Sequence, residues 1–275
     1  MKLAVIGHPI RHSKSPFMHN NWLKESGIEG HYEAIEVSPE QLKDQVERFK
    51  ELGYKGFNVT IPHKETIIPF LDEIDPAAKL LGAVNTVVIE DGKCTGYNTD
   101  GRGFLMSLLT KRSESDIHHA QILVLGAGGA AKGIIGALKA FGAERISIAN
   151  RTSAKAATLA EQQQVSGEGL DLKSAEKQLH RFDIVINTTS VGMVPDVLQM
   201  PVDTSLMKKG ALAADIIYNP LSTQFLKTAE SAGAESLNGI GMFVWQGALA
   251  FEKWTTEKPD TNYMIKKMTE YMKQE

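Results

Sequence analysis

The sequence has a single cysteine, Cys94, among its 275 residues. One thiol excludes an intrachain disulfide and fits a reducing compartment. Runs of like charge are missing as well: no basic run exceeds two residues, and the net charge is -3. That excludes a polyanion-binding stripe, and no nucleic-acid or membrane partner is expected. No stretch approaches the roughly 18 uninterrupted apolar residues of a membrane span. Met1 leads almost directly into the apolar run LAVIG, without the layout of a signal peptide. A soluble, cytoplasmic chain is therefore expected, free of internal repeats and low-complexity segments. What is present is ordinary globular material, 42% hydrophobic and 23% charged, in a length that suggests about two domains.

The strongest local signal is Gln121 to Ile135, QILVLGAGGAAKGII. A short apolar run meets a glycine cluster, and a helical pattern with Ile134, Ile135 and Leu138 follows. This strand, turn and helix opening is the form a parallel α/β dinucleotide site takes. The glycines allow a tight turn and let backbone N–H groups reach a pyrophosphate at the helix N-terminus. Gly126, Ala127, Gly128, Gly129 and Ala130 are the candidate cradle, with Ala131 as the third small position. Arg145 to Ala149 reads as the next strand, closing a βαβ unit. An NAD enzyme usually places a carboxylate at that strand's end, roughly 20 residues beyond the glycines, for the ribose 2′-hydroxyl. Here the residues are Asn150-Arg151-Thr152, with Lys155 one turn later, and these cations would bind the 2′-phosphate of NADP. Phe182–Asn187 and Ala211–Ile217 read as further parallel strands, placing Thr188 near the nicotinamide half.

Before that unit, polar residues recur just past strand ends. Residues 3–7 read as a strand, and a helix from Phe17 to Glu25 follows the loop holding Ser13 and Ser15. Ser15 suits two roles, N-cap of that helix or, with Ser13, contact to a polar ligand. Gly56 to Thr60 reads as a strand that Pro62 ends, so Lys64 enters a helix start, where its charge opposes the dipole. Asn58 and Thr60 share one face beside it. Asn85 interrupts the apolar run 83–89 and needs partners if buried. Asp91-Gly92 turns the chain back as a hairpin. Asp100 precedes the helix of Phe104 and Leu108, as its cap or as an active group. Lys111 to His119 lacks apolar periodicity and reads as a linker. Tyr218 ends a strand, and a helix is expected from Leu221 to Ala232. A last pair of helices is expected, one with a Met242, Trp245 and Leu249 stripe bordered by Gln246, the other from Thr261 to Lys273.

Taken in order, SKS at 13–15, NVTIPHK at 58–64, GAVNT at 82–86, GYNTDG at 96–101, GAGGAA at 126–131, NRT at 150–152 and GMFVWQ at 241–246 resemble the shikimate dehydrogenase family. The resemblance runs from residue 5 to about 250. It implies an α/β fold of two domains: an N-terminal substrate domain (1–100 plus 239–275, the last helices returning to it) and a Rossmann-type NADP domain (101–238), with the active site in the cleft between them. It implies reduction of 3-dehydroshikimate to shikimate with NADPH. Ser13 and Ser15 would bind the substrate carboxylate; Thr60, Lys64, Asn85, Asp100 and Gln246 would surround the ring hydroxyls, with Tyr218 nearby. Lys64 and Asp100 match the catalytic pair, and Gly239 falls with the cofactor residues. Closure would hinge near residues 100 and 238. No metal site is expected, and the chain would act as a monomer or homodimer. The rival expectations are a quinate/shikimate dehydrogenase using NAD or NADP, a folate-type methylene dehydrogenase, and a non-catalytic NADP-binding regulator.

Overall fold

The computed structural model describes residues 1–274. The chain opens with β1 (Lys2–Gly7), α1 (Ser15–Glu25), β2 (His31–Glu36), α2 (Leu42–Glu51), β3 (Gly56–Val59), α3 (His63–Thr66), β4 (Glu73–Ile74), α4 (Pro76–Leu81), β5 (Thr86–Glu90) and β6 (Lys93–Tyr97). It continues with α5 (Asp100–Leu108), α6 (Glu114–His119), β7 (Gln121–Leu125), α7 (Gly129–Phe141), β8 (Arg145–Asn150), α8 (Ser153–Gln163), β9 (Gly169–Asp171) and α9 (Leu172–Lys177). Last come β10 (Ile184–Asn187), β11 (Leu212–Asp215), α10 (Gln224–Ser231), β12 (Glu235–Leu237), α11 (Ile240–Thr255) and α12 (Thr261–Lys273). No helix among the described residues is long and apolar enough to cross a membrane.

The contacts divide the chain into two units. The first is Met1–Thr99 with Gln246–Met264; the second is Asp100–Trp245 with the chain from Ile265 onward. The boundaries differ from 1–100 plus 239–275 against 101–238. Asp100 counts with the second unit, and both α11 and α12 are shared between units. The reason lies in what each turn packs on. Met242, near the start of α11, lies against the second unit's core, whereas Phe251 and Trp254 near its end join an aromatic cluster of the first.

The first unit holds a six-stranded mixed sheet in the order β2-β1-β3-β5-β6-β4. β1 pairs parallel with β2 and β3, and β5 runs antiparallel to both β3 and β6. Phe49, Phe57, Val46 and Leu42 fill one side of its core. Burying each such side chain stabilises by about 1.5–3 kcal/mol. On another side the Trp254 indole donates to the Val87 carbonyl at 2.9 Å. Gly56 is there because a Cβ would sit 2.2 Å from that indole nitrogen.

The second unit holds a parallel sheet in the order β12-β11-β10-β7-β8-β9. The order reverses at β7, flanked by β8 and β10, and ligands bind at such a switch point outside the strands' carboxyl ends. Ile122, Val124, Ile134, Ile135 and Ile148 form its core on one face, and Leu123, Val185, Phe225 and Ala213 on the other.

Four local expectations are corrected. Residues 114–119 are not linker but α6, held by a reciprocal capping box between Ser113 and Asp116 with Ile117 buried. α10 starts at Gln224 rather than Leu221, because Thr223 serves as its N-cap. Ser15 does not cap α1: it lies inside the first turn, and Ser13 Oγ accepts the Ser15 N–H at 3.3 Å. The buried stripe of α11 runs through Val244, Ala248 and Phe251, while Met242, Trp245 and Leu249 are only partly buried.

Candidate active site

In the first unit, the predicted residues gather at one edge of the mixed sheet. β1 and β3 end there, and the antiparallel β5 begins there opposite Asn58. Ser13 and Ser15 follow β1, Thr60 and Lys64 follow β3, and Asn85 precedes β5. The Val84 N–H donates to the Lys64 carbonyl at 2.8 Å, fixing that turn beside Asn85. His63 anchors the same turn from below: its Nε2 donates to the Val37 carbonyl at 2.6 Å, an acceptor that sets the tautomer. α3 spans only four residues, so the dipole argument against Lys64 carries little weight, and the turn owes its shape to these anchors.

Asn85 is buried, and its partners are found. Its Oδ1 accepts from the Thr99 N–H and the Thr86 hydroxyl, both at 2.9 Å, while Nδ2 donates to Thr99 Oγ1 at 2.8 Å. The chain of bonds extends inward. Asn58 Nδ2 donates to the Asn85 carbonyl at 3.0 Å and to Thr86 Oγ1 at 3.1 Å. The Tyr32 hydroxyl then donates to Asn58 Oδ1 at 2.7 Å. Each amide is therefore locked in one orientation. Burial pushes the Tyr32 phenol well up, which keeps it a neutral donor, and Ser15 bonds to it as well. Sequence reasoning noticed Asn58 without giving it a role and missed Tyr32. The available signal was a polar residue in a strand otherwise apolar. Gln246 lies half-buried in α11.

In the second unit, β7 ends in a tight turn at Gly126, whose φ of 114 suits glycine alone. The Gly126 N–H donates to the Ala149 carbonyl at 2.7 Å, and a Cβ there would lie 2.5 Å from Thr188 Oγ1. Gly128 and Gly129 are different: a Cβ at either would meet nothing within 4 Å of this chain. Space that the protein leaves open beside a helix N-terminus is what a pyrophosphate requires. α7 starts there with thirteen residues and no side-chain cap, so its N–H groups and positive dipole end are on offer. Ala127 and Ala130 are half-exposed beside them. Asn150 Nδ2 donates to the Thr152 carbonyl at 3.0 Å, shaping the turn that exposes Arg151, Thr152 and, in α8, Lys155. No carboxylate pairs with Arg151 or Lys155 among the described residues. These residues fit a dinucleotide with a 2′-phosphate.

Asp100 opens α5, and α5 is set tightly on α7: a Cβ on Gly101 would be 2.1 Å from the Gly133 carbonyl oxygen. Thr188 is bonded to the Leu125 carbonyl through both its N–H (2.9 Å) and hydroxyl (2.7 Å). The Tyr218 ring packs against Phe243 with centroids 4.9 Å apart. Gly239 is a glycine for a packing reason, since a Cβ would lie 2.1 Å from the Ile216 carbonyl oxygen. The Trp245 indole nitrogen is buried without a hydrogen-bond partner. Among the described residues no group of His, Cys, Asp or Glu could hold a metal ion.

Comparison with known proteins gives three family matches: "Shikimate dehydrogenase substrate binding domain" over residues 5–87, "Shikimate / quinate 5-dehydrogenase" over 108–211, and "Shikimate 5'-dehydrogenase C-terminal domain" over 239–269. The chain is 47% identical over 272 residues to a shikimate dehydrogenase (NADP(+)) of a Geobacillus species, covering 98% of each. It is 48% identical over 263 residues to the Bacillus cytotoxicus protein of the same name, covering 95% of each. Among solved structures, shikimate 5-dehydrogenase from Thermus thermophilus in complex with NADP(H) and shikimate matches with a TM-score of 0.87, at 37% identity over 97% of both chains.

Proposed function

The chain belongs to the shikimate dehydrogenase family, and from that premise we propose that Lys64 and Asp100 carry its chemistry. The protein is an NADP-dependent shikimate dehydrogenase, catalysing the reversible reduction of 3-dehydroshikimate to shikimate on the route to aromatic amino acids. The observation that supports this assignment of residues is the convergence of Ser13, Ser15, Thr60, Lys64 and Asn85 on one sheet edge, each held by bonds to its own backbone neighbourhood.

Bound NADPH would supply the hydride that reduces the C3 carbonyl of the substrate. The carbonyl oxygen becomes an alkoxide as that bond forms, and it needs a proton or a fixed positive charge. The Lys64 ammonium provides either at that oxygen. Asp100 orients the ammonium and accepts a hydrogen bond from the neighbouring ring hydroxyl. Ser13 and Ser15 donate their hydroxyls to the substrate carboxylate. Thr60, Asn85 and Gln246 surround the ring hydroxyls with Lys64 and Asp100, and Tyr218 lies nearby. Asn85, with its amide already fixed by Thr86 and Thr99, needs no reordering when substrate arrives. Gly126 to Ala130 cradle the pyrophosphate, Asn150, Arg151, Thr152 and Lys155 hold the 2′-phosphate, and Thr188 and Gly239 border the nicotinamide half. The first unit is then the substrate domain and the second the NADP domain. The protein works in the cytoplasm as a monomer or homodimer, with substrate and cofactor as its only required partners.

One experiment separates the rivals: following nicotinamide absorbance with shikimate or quinate against NADP and NAD. Turnover with shikimate and NADP is expected. Activity confined to quinate or to NAD would make this a quinate-type enzyme, and NADP binding without turnover of either acid would leave the regulatory and folate-type readings.

A further inference from the structure

At the carboxyl end of β11 lies a carboxylate that the chemistry above does not use. Asp215 is 1% exposed. Its Oδ1 accepts from the Ile217 N–H at 3.0 Å and from Asn187 Nδ2 at 3.1 Å, and its Oδ2 accepts from the Thr223 hydroxyl at 2.7 Å. Ile217 and Thr223 sit at either end of the segment that carries Tyr218. Asn187 turns the other way: its Oδ1 accepts from the Thr189 N–H at 3.0 Å and the Thr189 hydroxyl at 2.7 Å. Thr188, the next residue, is fastened to the Leu125 carbonyl, one residue before the glycine turn.

We propose that Asp215 is a positioning residue for the nicotinamide half of NADP, holding the segment after β10 (Thr188, Thr189) and the segment after β11 (Ile217 to Thr223) in one arrangement. This rests on the cofactor placement proposed above. The backbone also joins the two segments, through the Ile216 N–H to the Asn187 carbonyl at 3.1 Å and the Val194 N–H to the Asn219 carbonyl at 3.4 Å, but among the side-chain bonds described Asp215 is the acceptor that gathers both, since the Asn187 amide oxygen is committed to Thr189. Three donors converge on one buried carboxylate, so removing it leaves Ile217 N, Asn187 Nδ2 and Thr223 Oγ1 without that partner, and the side-chain link that sets the spacing of the two segments is lost. The adenosine half is bound elsewhere, by Arg151, Thr152 and Lys155, whose positions depend on β8 and α8. The device therefore acts on one end of the cofactor only.

The test compares two probes on the full chain by calorimetry: NADP, and adenosine 2′,5′-bisphosphate, which lacks the nicotinamide. For Asp215→Ala, the NADP dissociation constant should rise by about tenfold or more, with bisphosphate binding unchanged within about twofold. Asp215→Asn should restore NADP binding to within about threefold. Its oxygen still accepts from Ile217 and Asn187, and its amide can donate to a Thr223 hydroxyl turned around. If Asp215→Ala does not fold, Thr223→Val, with Thr223→Ser as the restoring variant, asks the same question while preserving shape. Parallel loss of both probes, or loss of neither, overturns the positioning role. A wild-type protein that bound neither probe would overturn the cofactor placement itself and the inference with it.

Discussion

The two sheets have six strands each but differ in direction, and the difference decides what their edges can hold. In the all-parallel sheet every strand presents its carboxyl end to the same edge. That edge offers turns and a helix N-terminus, suited to a phosphate whatever the substrate. In the mixed sheet the antiparallel β5 and β6 bring a strand start and a strand end together, so Asn85 meets Thr99 beside the turn of Lys64. The result is a set of side-chain amides and hydroxyls, suited to a polyol. Among the buried titratable groups, the two units each hold one whose shift runs opposite to the other's. Burial lowers the His19 pKa to about 3 in the first unit and raises that of Asp215 to about 6 in the second.

The largest expected effect tests whether the mixed sheet carries the chemistry. Lys64→Ala should lower kcat by on the order of 10³-fold, with the melting temperature nearly unchanged because Lys64 is half-exposed; near-normal turnover with normal substrate affinity would remove it from the mechanism. Asp100→Asn should cost on the order of 10²-fold in kcat with an intact fold. Unchanged kinetics would remove Asp100 from its assigned role. Arg151→Ala should leave shikimate KM alone and reduce the preference for NADP over NAD by about tenfold to a hundredfold, read from kcat/KM with each cofactor.

The smallest effect concerns acid. His19 is depressed from 6.5 to about 3, so its stabilisation is present above pH 6.5 and is lost as the pH falls below that value. Asp215 is raised from 3.8 to about 6, so its share is fully present below pH 3.8 and is lost as the pH rises through 6. The two oppose each other in mild acid. His19→Phe should remove a loss of about 2 kcal/mol between about pH 7.5 and about pH 5, measured by urea unfolding at both values; an unchanged pH slope would show that His19 is charged or solvated in the fold.

Much of the second unit was legible because its signals are local. Gly126 to Ala131 and Asn150 to Lys155 adjoin strands whose apolar runs are unmistakable, and turn chemistry needs only neighbours. α6 was not legible, since one buried residue, Ile117, makes no periodicity; its capping box, Ser113 to Asp116, was the signal passed over. The start of α10 was misjudged because Thr223 is engaged by Asp215, a residue eight positions earlier. In the first unit, the residues past the strand ends could be picked out, but the bond from Tyr32 to Asn58 could not. It depends on the register of β1 between β2 and β3, which no local pattern encodes. The sharing of α11 between units was equally hidden, because a helix with apolar residues all round does not say which neighbour each turn will meet.

The indole of Trp254 and the carbonyl of Val87 are 167 positions apart. At roughly 5–20 residues per second on the ribosome, the first sheet is made about ten to thirty seconds before the residue that covers Gly56. During that interval almost all of the second unit emerges with its own strands in hand. The half begun first thus waits longest for its covering residue, and a chaperone meeting the nascent chain would find exposed apolar surface near the N-terminus.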